Sequence, residues 1–191
     1  MIFCIMGISG TGKTTIARKI AKKLKMNLVI SYTSRPIREG EVANVDYHYV
    51  DNKYFEENKD DFIEIREYQV FDGSVWKYGF KKTDFPDPKS DYLVVIETDG
   101  FAVFGEYFGR DKLKPIVINS NFFDLVERTR KRGDNPEEIK RRINDDERKF
   151  EEFAKTEQVS NVYNMFDIDF AVKQVEKIIL KGDKQNGKLY E

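Results

Sequence analysis

Gly7-Ile8-Ser9-Gly10-Thr11-Gly12-Lys13-Thr14 matches the spacing G-x-x-x-x-G-K-[ST] residue for residue. The backbone of such a loop must fold tightly around a phosphate with successive N–H groups pointing inward. A Cβ would obstruct the turn or the approach, so glycine is needed. Lys13 adds a charge for the outer phosphates, and the Thr14 hydroxyl suits a Mg²⁺ held otherwise by water and phosphate oxygens. The loop therefore predicts an ATP-type ligand. Chance would produce the fixed positions in roughly one chain in a hundred of this length, and the flanks argue against chance. Met1-Ile2-Phe3-Cys4-Ile5-Met6 is an unbroken apolar run of the kind a buried parallel strand requires. After the loop, Ile16, Ile20 and Leu24 recur every fourth residue beside Ala17 and Ala21, the pattern of an amphipathic helix.

The chain has 191 residues, enough for one sizeable core with small insertions. Its 33 basic and 34 acidic side chains nearly cancel, which argues against a dedicated nucleic-acid binder. Any basic site must be local. Cys4 is the only cysteine, so no disulfide forms within the chain and a buried free thiol is expected. The first apolar run lacks a basic leader and a cleavage site, and no stretch is long enough for a membrane span. A cytoplasmic protein without membrane attachment is the expectation; the residues do not distinguish a monomer from a homodimer.

Asn27 to Ser31 reads as a second strand running into a loop, Tyr32-Thr33-Ser34-Arg35-Pro36-Ile37-Arg38-Glu39-Gly40-Glu41. Pro36 keeps Arg35 out of the helical region, so Arg35 and Arg38 are not a helical stripe. They are either solvated arginines or a fork for a second phosphate-bearing ligand. From Val45 to Tyr78 the apolar runs become short and alternating, predicting small antiparallel strands, among them Phe62-Ile63-Glu64-Ile65 and Val70-Phe71, with a short helix near Tyr54 to Glu57. This segment reads as an inserted lobe. His48, the only histidine, has no nearby cysteine and is no metal site, and Trp76 reads as packing.

After a proline-containing loop, Tyr92 to Ile96 is another central strand, ending at Glu97-Thr98-Asp99-Gly100. Ligands of open α/β sheets bind at strand carboxyl ends, which makes Glu97 a candidate functional group and Asp99 a helix cap. Lys114 to Ile118 is a further strand, followed by a helix from Phe122 to Lys131, closed by Gly133, and another from Asn135 to about Phe153. Arg128 and Arg132 share a helical face without an intervening acid, a repulsion that a polyphosphate would turn to attraction. Val159 to Tyr163 reads as the last strand and Ile168 to Leu180 as the closing helix, with a polar tail expected to fray. Strands alternating with helices give a three-layer α/β protein with a central parallel sheet and the phosphate loop after its first strand.

Taken together these residues resemble the guanylate kinase family over Met1 to about Leu180. The specific part is Ser31 to Glu41, then Val45-Asp46-Tyr47, Phe62-Ile63-Glu64 and Tyr78-Gly79. The resemblance implies a P-loop NTPase fold with an inserted acceptor-binding lobe and a helical lid. It divides the chain into core segments 1–31, 89–127 and 153–180, a lobe 32–88, a lid 128–152 and a tail 181–191. It implies ATP as donor with Mg²⁺, and GMP or dGMP as acceptor. Donor binding falls to Gly7, Ser9, Gly10, Thr11, Gly12, Lys13, Thr14 and Thr15, with Asn164, in Val162-Tyr163-Asn164, near the adenine. Arg35, Arg38, Tyr47 and Tyr78 would grip the acceptor phosphate, and Ser31 and Glu64 would read the base. A carboxylate suits guanine, whose N1–H and N2–H₂ lie side by side. Arg128, Arg132 and Arg142, within Arg128 to Gly133 and Ile139 to Ile143, would close on the phosphates and with Lys13 and Arg35 carry catalysis.

The chain departs from the family's pattern where Phe80 stands in place of a hydroxyl that reads guanine O6. Val95-Ile96-Glu97 replaces Asp-Ile-Asp, keeping one carboxylate on a longer stem toward the acceptor, and Pro36 comes one position early. Two rival readings follow: another phosphokinase on the same scaffold, such as a broader deoxynucleotide kinase or a ribose bisphosphate phosphokinase, or a non-catalytic module that holds phosphopeptides. The intact loop and the lid arginines favour the enzyme.

Overall fold

The computed structural model describes residues 1–70, 73–131, 136–165 and 167–185. Phe71, Arg132, Gly133, Asn135 and the tail beyond Gln185 lie outside them, and the side chain of Arg142 is likewise outside what is described.

The first strand, β1 (Ile2–Met6), is buried at every position because it is central and covered on both faces. Its pleat sorts the side chains. Phe3 and Ile5 face one core layer with Ile16, Ile20, Val175 and Ile179; Ile2, Cys4 and Met6 face the other with Phe101, Phe104 and Phe153. Removing each such side chain from water contributes about 1.5–3 kcal/mol, so both layers hold this strand. Cys4 is a free, buried thiol whose deprotonation burial strongly opposes. The helix α1 (Lys13–Leu24) buries Ile16, Ala17, Ile20 and Ala21 on the first layer and stops at Lys25, which adopts a left-handed conformation.

The remaining elements are β2 (Asn27–Val29), β3 (Tyr32–Thr33), β4 (His48–Tyr49), α2 (Asn52–Glu57), β5 (Phe62–Gln69), β6 (Val75–Lys81), β7 (Tyr92–Val95), α3 (Thr98–Phe108), β8 (Leu113–Asn119), α4 (Phe122–Lys131), α5 (Pro136–Thr156), β9 (Ser160–Tyr163) and α6 (Ile168–Gln185). Five strands form one sheet in the order β2-β7-β1-β8-β9, parallel throughout. Four form a second sheet, β4-β3-β6-β5. The architecture is the three-layer α/β fold with an additional mixed sheet.

Several local expectations change. Tyr32–Thr33 is a strand of the second sheet rather than loop, because its backbone pairs with Gly79 and Tyr78. The small sheet is not wholly antiparallel: β3 and β4 run parallel, joined by a connection long enough to return the chain in the same direction. The α3 cap position falls on Glu97, which makes no side-chain cap bond, while Asp99 lies in the first turn and pairs with Lys149 of α5 at 3.0 Å. The closing helix continues past Leu180 to Gln185.

Candidate active-site cleft

The phosphate loop connects β1 to α1, and its glycines are required by its surroundings. Gly7 has φ 141°, and a Cβ there would lie 2.4 Å from the Ile118 carbonyl oxygen. Gly12 takes the N-cap position of α1 in a left-handed conformation, φ 92°, with no side-chain cap. The first N–H groups of that helix therefore point into the loop without a capping side chain of their own, the arrangement that receives an anion. Thr11 is buried and its hydroxyl donates to Ile8 O at 2.9 Å, bracing the loop rather than lining it. Asn164 is also buried, and its side-chain amide donates to Thr11 O at 2.8 Å. It supports the loop from beneath and does not face the cleft, in place of the adenine contact expected for its side chain. Lys13 Nζ lies over the loop, donating to Gly7 O at 2.6 Å and Ile8 O at 2.9 Å.

A cleft of about 740 Å³ runs from this loop to the second sheet. Ser9, Gly10, Gly12, Lys13, Thr14 and Thr15 line its donor end. Arg128 of α4 lines it too, reaching Gly10 O and Ser120 Oγ at 3.5 Å and Asp124 at 3.4 Å. From α5, Asp146 Oδ2 accepts from Ser9 N at 3.2 Å, a carboxylate oxygen on an N–H of the phosphate loop.

The other end is lined by Ser31, Arg35, Arg38, Tyr47, Tyr78 and Glu97. Arg35 is 4% exposed, with both carboxylate oxygens of Glu41 on Nη2 at 2.8 and 3.0 Å and the Tyr47 ring centroid 5.3 Å away. Glu41 also accepts from Arg38 N and from Tyr49 OH, at 2.8 and 2.7 Å. Burial alone would raise the Glu41 carboxyl, but these donors outweigh it and hold it below the ordinary carboxylate range. The rings of Tyr47 and Tyr78 stand 6.1 Å apart beside the arginine. A cationic fork flanked by phenols is suited to a phosphate monoester.

The inner wall comes from β5 and β6. Alternation along β5 puts Glu64 and Arg66 on one face, opposite Phe80 and Tyr78 of β6. Arg66 lines the cleft, whereas Glu64 lies behind it, 5% exposed. Glu64 Oε2 accepts from Arg66 Nε at 2.9 Å, and Arg66 Nη1 pairs with Glu97 at 3.3 Å. Burial raises the Glu64 carboxyl above the ordinary range, with Arg66 pulling the other way. Glu64 Oε1 is buried and has no hydrogen-bond partner among the described residues. Phe80 is 0% exposed, in edge contact with Phe104 and near Phe85. It forms the floor beneath the pocket instead of lining it, because the aromatic cluster of α3 closes over it.

Two contacts join elements that line the cleft: Arg18 of α1 forms an ion pair with Asp46, and Arg141 of α5 donates a hydrogen bond to the Tyr68 hydroxyl at 2.9 Å. The sequence reading gave no role to Glu41, Arg66, Arg18, Asp46 or Asp146. Period-2 alternation from Glu64 was a signal for Arg66, and Glu41 meets Arg35, Arg38 and Tyr49 within eight residues of itself; Arg18, Asp46 and Asp146 meet their partners only through tertiary folding. His48 packs on Tyr32 with ring centroids 4.6 Å apart. Among the described residues no cluster of three or more His, Cys, Asp or Glu could hold a metal, and no helix is long and apolar enough to cross a membrane.

A family model described as an AAA domain matches residues 3–151. Among curated proteins, a guanylate kinase of Zymomonas mobilis is 32% identical over 184 residues, covering 94% of this chain and 82% of that protein. One from Desulfotalea psychrophila is 33% identical over 145 residues, covering 72% and 68%. One from Thermus thermophilus is 32% identical over 148 residues, covering 74% of this chain and 64% of its own length. In fold, the chain is similar to the crystal structure of guanylate kinase from Anaplasma phagocytophilum, with a TM-score of 0.65 at 22% identity over 95% of this chain and 85% of that one.

Proposed function

The chain belongs to the guanylate kinase family, and from that membership and the cleft we propose that it transfers the γ-phosphoryl group of ATP to GMP or dGMP, yielding ADP and the nucleoside diphosphate. The observation that carries this reading is one cleft lined at one end by residues of the loop Gly7 to Thr14 and at the other by the buried Arg35 fork, two groups whose chemistry suits an anion.

The acceptor phosphate is already an oxyanion near neutral pH, so no general base is needed. The protein's task is to hold two mutually repelling anions in line, exclude water and stabilise charge on the transferred group. Lys13 leaves the Gly7 and Ile8 carbonyls for the phosphates, and Arg128, Arg132 and Arg142 supply further charge from the lid, residues 128–152. The core (1–31, 89–127 and 153–180) carries the donor site and the lobe, 32–88, the acceptor site. Arg35, Arg38, Tyr47 and Tyr78 grip the acceptor phosphate, and Ser31, Glu64 and Glu97 bound its base. The Glu64 Oε1 atom, buried and unpartnered, gains a partner when a base brings N1–H or N2–H₂ to it.

A Mg²⁺ fits this donor set. Thr14 lines the cleft at the first turn of α1, and Mg²⁺ bound to nucleotide takes few protein ligands, its remaining positions being filled by water and phosphate oxygens. When bound, the ion neutralises charge on the phosphates. The protein acts on small-molecule nucleotides, not on nucleic acid or membranes, and works in the cytoplasm.

A coupled ADP-release assay with Mg-ATP and all common ribo- and deoxyribonucleoside monophosphates tests the reading. Guanine nucleotides are expected to be preferred, and Lys13→Ala to lower turnover by orders of magnitude with an unchanged circular dichroism spectrum. Absence of transfer to any nucleotide, or a Lys13→Ala enzyme of wild-type rate, overturns it.

A further inference from the structure

Arg66 occupies an unusual position for a cation. It stands on the cleft side of Glu64, at 19% side-chain exposure, in the wall the acceptor base must meet. Its guanidinium is gripped from two sides, Nε by Glu64 Oε2 at 2.9 Å and Nη1 by Glu97 Oε2 at 3.3 Å. It also passes close over α3: a Cβ on Gly100 would lie 3.3 Å from Arg66 Nε. Glu64 lies on β5 of the second sheet and Glu97 at the N-cap of α3, so the orientation of the fork is set by tertiary structure and is not left to a mobile side chain. A guanidinium has five N–H donors in a rigid plane, more than these two contacts consume.

We propose that Arg66 is a specificity-determining residue of the acceptor pocket, donating from its guanidinium to the O6 acceptor of a guanine base. This rests on the reading of the cleft as a nucleoside monophosphate site. Arg66 then offers a donor in the cleft wall, and Glu64 Oε1, buried behind it and without a partner among the described residues, is the adjacent acceptor for a base that enters the wall, the pair matching the O6 and N1–H of guanine. Adenine places an amino group at the corresponding position, setting donor against donor. No hydroxyl is available from position 80, where Phe80 is sealed in the core. Glu97 acts as a positioning residue, its carboxylate anchoring Nη1 of the fork.

The test compares kcat/KM for GMP and for 6-thioguanosine monophosphate, which keeps N1–H and N2–H₂ but carries a poor acceptor at position 6. The wild-type protein is expected to favour GMP by roughly tenfold, the discrimination that one good base contact gives. Arg66→Met should bring that ratio close to one. Arg66→Lys keeps a positive charge beside Glu64 and Glu97 but loses the planar fork, and it too should lose most of the preference, which covers failure of the methionine variant to fold. A wild-type protein indifferent to the sulfur, or a lysine variant with the preference intact, overturns the role of Arg66 while leaving GMP kinase activity in place. If no guanine nucleotide is phosphorylated, the acceptor reading itself falls, and the proposal with it.

Discussion

The side-chain amide of Asn164 donates at 2.8 Å to the carbonyl of Thr11, tying the end of β9 to the underside of the phosphate loop. Both residues are almost fully buried. The contact fixes the loop from the side that the phosphates do not reach. Asn164→Ala leaves the Thr11 carbonyl unsatisfied and is expected to cost about 1–3 kcal/mol. Its kinetic signature should be a larger rise in KM for ATP than for GMP, read by varying each nucleotide in turn. Equal effects on both would mean that Asn164 serves only the fold.

Asp146 places a carboxylate on Ser9 N at 3.2 Å, where an incoming phosphate also seeks the N–H. The Asp146→Asn variant removes that charge, and its side-chain oxygen can still accept the bond. Partly exposed charge interactions amount to about 0.2–1 kcal/mol, so affinity for a non-hydrolysable ATP analogue should rise by up to about fivefold. Titration calorimetry at low and high salt would show the gain shrinking as salt is added.

Glu41 satisfies the Arg35 guanidinium, whose side chain is 3% exposed. Glu41→Gln leaves that cation without a counter-charge and should destabilise the protein by about 2–3 kcal/mol, at or below the cost of breaking a fully buried pair because Glu41 is partly exposed. Added GMP should recover more thermal stability in the variant than in the wild type, since its phosphate replaces the lost charge. The carboxyl of Glu41 is lowered in the folded protein. Its contribution is therefore complete above the unfolded-chain value and is lost as pH falls through the folded one.

Glu64 titrates with the opposite sign. Its folded-state carboxyl is raised, chiefly by burial. Between the ordinary carboxylate value, about 4.3, and the raised one, the native state binds more protons than the unfolded chain, so stability declines as pH rises through that window. Denaturant midpoints measured across the acid range should show this decline in the wild type and lose it in Glu64→Gln. Because a base N–H requires the ionised carboxylate, kcat/KM for GMP should fall on acidification at a higher pH than an ordinary carboxylate would give.

Phe80 fills the floor between Phe85 and Phe104 with no exposed surface. Phe80→Ala should cost about 3–5 kcal/mol. Phe80→Ser should be as damaging and should not sharpen base selectivity, because its hydroxyl would sit in the core. A gain in guanine preference with Phe80→Ser would place position 80 in the pocket after all.

Local spacing was enough to make the donor half of this protein legible. Gly7 to Thr14, the apolar run before it and the four-residue period after it each express a backbone or packing requirement satisfied within a few residues, and together they specify strand, loop and helix. The parallel sheet followed from the same kind of pattern. The acceptor half was legible in composition but not in arrangement. Arg35 and Glu64 stand out in the chain, yet the Glu41 carboxylate on Arg35 depends on the conformation of the segment between β3 and β4, and the clamp of Arg66 between Glu64 and Glu97 depends on how β5 and α3 meet. Phe80 and Asn164 make the point most plainly: one is drawn into an aromatic cluster, the other under a loop far away in sequence. A buried ring takes whichever side has apolar partners, and a buried amide turns to whichever carbonyl lacks one. Both choices are made by neighbours that only the folded chain brings together.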